Sequence, residues 1–211
     1  NKEKRSIKTL TQEACPQAFE SMPAGSNHQT VEVEQCFHAV GHALMFAFDN
    51  DPFIALPYCD DMPEIFMQKW CYFGVFIENS YLYSNFHNRE GMRPYVTGNS
   101  MLPLCMKVEE KYRFDCAKFA GRAYLHVEDG NWQGMFAECK RFVTRKEKEV
   151  CVGQAVRLFI PMFYKTDWSG MVAACADTDA KLSKICLSEV AVGIRQGAAG
   201  ALNSNYPFCE K

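Results

Sequence analysis

Residues 116–151 read CAKFAGRAYLHVEDGNWQGMFAECKRFVTRKEKEVC. The cysteine that opens this stretch returns 35 residues later, and Cys139 stands between the two. Outward from here the same spacing recurs. One series is Cys36, Cys71, Cys116, Cys151 and Cys186, separated by 35, 45, 35 and 35 residues. A second is Cys59, Cys105, Cys139, Cys175 and Cys209, separated by 46, 34, 36 and 34. Both series lengthen by about ten residues at the same place, between Cys71 and Cys105, so the chain is a five-fold repeat with one insertion.

Each repeat reads as a long helix A followed by a short helix B. With the first cysteine of each unit as position 0, position +4 is Val40, Val75, Ala120, Ala155 and Val190. Position +11 is Ala47, Leu82, Val127, Met162 and Gly197. Positions 0, 4, 8 and 11 share one helical face, here small and apolar, and no sustained two-residue alternation marks a strand. Pro63 suits a first helical turn, and Thr144 with Glu147 forms a capping box. Eight residues before each second cysteine stand Asp51, Thr97, Asn131, Asp167 and Ala201; four of these are natural N-caps. Gly197 and Gly200 read as helix termination. The expected fold is all-α: a right-handed solenoid of about five helical hairpins of ~35 residues, disulfide-stapled, with one insertion in the second unit. Residues 1–29 are expected to form an N-terminal segment or tether. Residues 30–211 are expected to form the repeat domain, with units starting near 30, 63, 108, 144 and 179.

In period and paired-helix pattern, residues 30–211 resemble the Sel1-like and tetratricopeptide superhelical class. That resemblance implies binding of a protein or peptide in a concave groove.

Composition narrows the rest. The chain has 211 residues, of which 48% are apolar, enough for a core and against disorder. A formal charge of −2, from 23 Lys and Arg against 25 Asp and Glu, offers no footprint for bulk nucleic-acid binding or an anionic membrane surface. No run of 18 apolar residues spans a bilayer.

Eleven cysteines without Cys-x-x-Cys pairs argue against a thiolate metal cluster and for disulfides. In an antiparallel hairpin, the rise along helices A and B brings the two cysteines of one unit roughly level. The expected bridges are therefore Cys36–Cys59, Cys71–Cys105, Cys116–Cys139, Cys151–Cys175 and Cys186–Cys209, leaving Cys15 unpaired. The alternative joins Cys59 to Cys71. Disulfides imply an oxidising, extracytoplasmic location: periplasmic, cell-surface or secreted.

Candidate chemistry gathers on helix A. His38 and His42 stand four apart with Met45 on the same line, a pattern able to hold zinc, copper or iron. Positions +2, +6 and +9 lie opposite the cysteine face and are expected to line the groove. In later units they carry Lys118, Arg122, Arg157 and Arg195, a candidate clamp for a carboxylate or phosphate. Glu78, at position +7, interrupts the apolar face; it is either wet at a helix end or buried with a partner, and the wheel sets it apart from the histidines. The insertion around 81–100 carries His87, a possible third metal ligand. Three readings follow: a scaffold for a peptide or small anionic ligand, a metal-binding protein centred on His38 and His42, or a metal-dependent enzyme. The first is favoured because it requires the fold alone.

Overall fold

The computed structural model describes residues 15, 29–82, 100–162 and 168–200. Among them the chain is helical and contains no strand element. Long and short helices alternate: α1 Gln29–Ala47, α2 Pro52–Cys59, α3 Ile65–Leu82, α4 Leu102–Lys107, α5 Glu110–Val127, α6 Trp132–Lys140, α7 Arg145–Met162, α8 Trp168–Ala176 and α9 Ala180–Gly200. Two compact units result, one of Asn1–Gly98 with Pro103–Cys116, the other of Asn99–Leu102 with Ala117–Lys211. No described helix is long and apolar enough to cross a membrane.

Local chemistry explains why the chain turns where it does. After α1, Asp49 and Asn50 both take positive φ, and Asn50 N–H donates to the Met45 carbonyl at 2.7 Å. Asp51 then caps α2, its side chain accepting from Phe53 N–H at 2.8 Å, with Pro52 filling the first turn. The same device recurs after α5. Asp129 and Gly130 take positive φ, Gly130 N–H donates to Leu125, and Asn131 caps α6 through Gly134 N–H at 2.9 Å. Left-handed conformations cost most side chains about 1–2 kcal/mol, and Asn, Asp and Gly tolerate them best. The expected caps Thr97, Asp167 and Ala201 lie outside the described residues.

The return from short to long helix also repeats. Met62 N–H donates to Cys59 and Phe142 N–H to Cys139, and both apolar side chains are buried. Before α7 the expected capping box is present, Thr144 N–H to Glu147 at 2.8 Å and Glu147 N–H to Thr144 at 3.2 Å. Two local expectations shift: α3 starts at Ile65, beyond Pro63, and α9 passes through Gly197 to Gly200.

The staples differ from the expected pattern. Bridges join Cys15–Cys36, Cys59–Cys71, Cys105–Cys116, Cys139–Cys151 and Cys175–Cys186. Each of the last four ties a short helix to the long helix that follows, with Cα atoms 5.5–5.6 Å apart. The within-unit pairs Cys36–Cys59, Cys71–Cys105, Cys116–Cys139 and Cys151–Cys175 do not form, and Cys15 is bonded; Cys209 lies outside the described residues. Counting rise along the helix axes omitted azimuth. Cys71, Cys116, Cys151 and Cys186 each occupy the seventh residue of their long helix, a register that faces the helix before. Five disulfides speak for an oxidising, extracytoplasmic environment.

In the first unit α1 and α2 both pack on α3, and in the second α7 packs on α9. The inward positions agree with the helical period: Val75, Ala120, Ala155 and Val190 are all buried. The A-type helices also meet one another closely. A Cβ on Gly41 would collide with the Cys71 carbonyl, and one on Gly74 with the His38 carbonyl. In the second unit a Cβ on Gly121 would lie 2.9 Å from the Ala155 Cβ and the Cys151 carbonyl. Gly41 and Gly121 occupy the same repeat position and meet the equivalent carbonyl of the next long helix.

Two outcomes follow from this packing. Non-reducing peptide mapping is expected to recover Cys59 linked to Cys71 and Cys139 linked to Cys151; each closes a loop worth about 3 kcal/mol in the chain-entropy model. Gly74→Ala, which forces backbone apart, is expected to cost about 2–3 kcal/mol and lower Tm by roughly 5–10 °C. Gly153→Ala meets only ordinary contact, 3.4 Å from Ile185, and is expected to leave Tm unchanged or raise it slightly. Equal losses in the two variants would contradict the close crossing.

Candidate functional site

The close approach of α1 to α3 decides the neighbourhood of the histidines. His38 and His42 share one face of α1, one turn apart, and Glu78 comes from α3. With no side chain at Gly41 or Gly74 to hold the helices apart, the His42 ring reaches the Glu78 carboxylate. Nδ1 of His42 lies 2.5 Å from Oε2 of Glu78, and Nε2 of His42 lies 3.0 Å from Nε2 of His38. The three residues form a line, Glu78 to His42 to His38. Glu78, expected apart from the histidines, is buried against one of them: its side chain is 6% exposed, and that of His42 is 26% exposed.

Hydrogen-bond donors assign the protons. An ionised carboxylate can only accept, so Nδ1 of His42 carries hydrogen and donates to Glu78. In the neutral ring that leaves Nε2 of His42 as a lone pair, which accepts from Nε2–H of His38. Burial and the neighbouring His42 push the His38 imidazole down to about 4, so it is neutral near pH 7. Around it stand Phe73, edge-on at 5.0 Å, and Trp70 at 6.5 Å. The arrangement is a carboxylate-oriented imidazole pair beside an aromatic wall. It can pass a proton along its line, or offer two ring nitrogens to a cation.

The other candidates fall out differently. Met45 and Leu125 are fully buried, and Ser80, which shares their repeat position, is nearly so. That part of the face is therefore no open stripe: α1 and α3 cover each other, and α2 packs on both. His87 lies outside the described residues. Among the described residues no group of three or more His, Cys, Asp or Glu side chains is placed to hold a metal ion.

Lys118, Arg122, Arg157 and Arg195 belong to the second unit. Arg122 is buried on α5, and burial, followed by the nearby Arg122 charge, holds the His126 imidazole below its usual range. Arg157 lies 3.1 Å from the Glu189 carboxylate of α9, an ion pair whose buried atoms are not aligned as a hydrogen bond. That pairing occupies one arm of the expected anion clamp. The side chain of Arg195 lies outside the described residues.

A second polar cluster in the first unit was not legible from spacing. Asp60, just after α2, accepts from the hydroxyls of Tyr72 and Tyr112, the latter at 2.5 Å, and from Lys111 at 2.7 Å. Nearby, buried Asp115 takes Lys69 at 2.6 Å. The cluster ties the end of α2 to α3 and α5. Its members are all engaged with one another, which suits a strut better than a binding site.

Comparison with models of known families, with curated proteins and with solved structures finds no match to this chain. The likeness to the Sel1-like and tetratricopeptide class rests on period and helix pattern alone.

The Asp60 strut has a pH signature. Burial would raise the Asp60 carboxyl, but hydrogen bonds from Lys111, Tyr112 and Tyr72 outweigh it and hold the group below the usual carboxylate range. A depressed carboxyl contributes stability above its unfolded value and loses it as pH falls through the folded one. Acid unfolding followed by circular dichroism is therefore expected to steepen below about pH 4. Asp60→Asn should be less stable at pH 7 and show a flatter acid limb. An unchanged limb would show that the cluster carries no linked charge.

Proposed function

We propose that this chain is an extracytoplasmic helical-repeat binding protein of solenoid form. Its functional centre is a transition-metal site at His38 and His42, oriented by Glu78. The solenoid reading is supported by the recurrence of turn, cap and staple at equivalent positions, from the Asp49–Asn50 turn to the Asp129–Gly130 turn. The metal reading rests on one observation: two imidazole Nε2 atoms 3.0 Å apart, one of whose rings is held through Nδ1 by a buried carboxylate.

Nitrogens at that separation fit adjacent positions around an ion with bonds of about 2.0–2.1 Å. A ligand histidine commonly gives its other N–H to a carboxylate, which fixes tautomer and ring direction. Glu78 does this for His42. To bind, His38 must carry its proton on Nδ1 rather than between the rings. Imidazole donors suit zinc, copper(II) and nickel, and the burial of Met45 removes the thioether bias toward copper(I). Two protein ligands leave positions for a donor from outside the described residues, a peptide or small anion among them. The scaffold and metal readings thus meet at one site.

Isothermal titration of the metal-free protein with zinc chloride and with copper chloride tests this. One ion per chain is expected, with binding abolished in His42→Ala and weakened about 10–100-fold in Glu78→Gln. Circular dichroism should show both variants folded. Metal content below a tenth of an equivalent at saturation, or unaltered binding in His42→Ala, would overturn the assignment.

A further inference from the structure

In the second unit the N-terminal ends of α7 and α9 border a cavity of about 330 Å³. It is lined by Lys140, Arg145, Lys148, Glu149, Asp179, Lys181 and Leu182. Four cations face two acids, in a chain whose overall formal charge is −2. Both acids are already engaged. Glu149 holds Arg145 at 2.6 Å, and Asp179 caps α9 by accepting from Leu182 N–H at 3.1 Å. With Arg145 and Glu149 cancelling each other, Lys140, Lys148 and Lys181 face the single carboxylate of Asp179, an excess of two positive charges in the lining. Leu182 is buried and adds an apolar patch to it.

Three ammonium groups gathered on one cavity repel each other, and the positive ends of two long helices add to that potential. A bound anion relieves both. We propose that this cavity is an oxyanion site for a sulfate or phosphate monoester on a sugar-sized body. The charged oxygens meet Lys140, Lys148 and Lys181, and the body lies against Leu182. A cavity of this size exceeds a bare inorganic anion, which favours the ester over the free ion. The site is independent of the histidine centre and lies wholly within the other compact unit.

Titration of the full chain at low ionic strength, followed by amide chemical-shift mapping, tests the assignment. The probes are inorganic phosphate, inorganic sulfate, glucose 6-phosphate and glucose 6-sulfate. Saturable binding of at least one ester is expected, tighter than that of its inorganic ion, with shifts at 145–148 and 180–182. Binding of both esters identifies the shared oxyanion chemistry; binding of one alone identifies its source. Lys148→Ala with Lys181→Ala should weaken the ester at least tenfold, whereas exposed Lys146→Ala, outside the lining, should not. The proposal is overturned by three results: no saturable binding at 10 mM, equal losses in Lys146→Ala and the double variant, or a site that takes acidic peptides while ignoring all four probes.

Discussion

Much of the first unit depends on how closely α1 and α3 approach. At Gly41 and Gly74 the two backbones come so near that either Cβ would strike a carbonyl of the other helix. Helix axes usually stand 8–10 Å apart because side chains separate them. Glycine at the crossing removes that spacer. The gain is more than packing: groups on adjoining positions, which a wider spacing would leave apart, come within hydrogen-bond reach. His42 and Glu78 meet for this reason. Their meeting fixes the tautomer of His42, and through it the direction of the lone pair toward His38.

A buried carboxylate normally carries a large desolvation cost unless a partner satisfies it. Glu78 has that partner in His42, while the part-exposed Asp60 has three in Tyr72, Tyr112 and Lys111. The two differ in what remains available. Each Asp60 donor is turned inward upon the carboxylate, so the cluster holds helices together. The Glu78 line ends on a half-buried imidazole beside Trp70 and Phe73. Close by in sequence, Asn79 is fully buried with neither side-chain atom hydrogen-bonded, an uncommon cost in a packed core.

The staples act on a different scale. They tie each short helix to the long helix after it and so brace that junction. The recurrence of Met62 and Phe142, buried immediately after the short helix's cysteine, shows apolar packing braced at the same point.

The sequence by itself determined the helices, their alternation of length, the Asp51 and Asn131 caps, the Thr144–Glu147 box and the presence of disulfides. These are governed by contacts within a turn or two of chain, where residue type and spacing decide the outcome. Which cysteines join, which side of a long helix is open, and which group stands beside His42 were decided only by tertiary structure. A helical wheel gives each residue an angle about its own axis, but no distance or direction to the next axis. Cys71 could therefore be placed level with either neighbour, and the face carrying Met45, Ser80 and Leu125 passed for solvent-exposed. Glu78 read as remote from the histidines although Gly41 and Gly74 were already visible. What those glycines meant depended on two helices finding each other across the 33 residues between Gly41 and Gly74, and spacing along one helix holds no record of that.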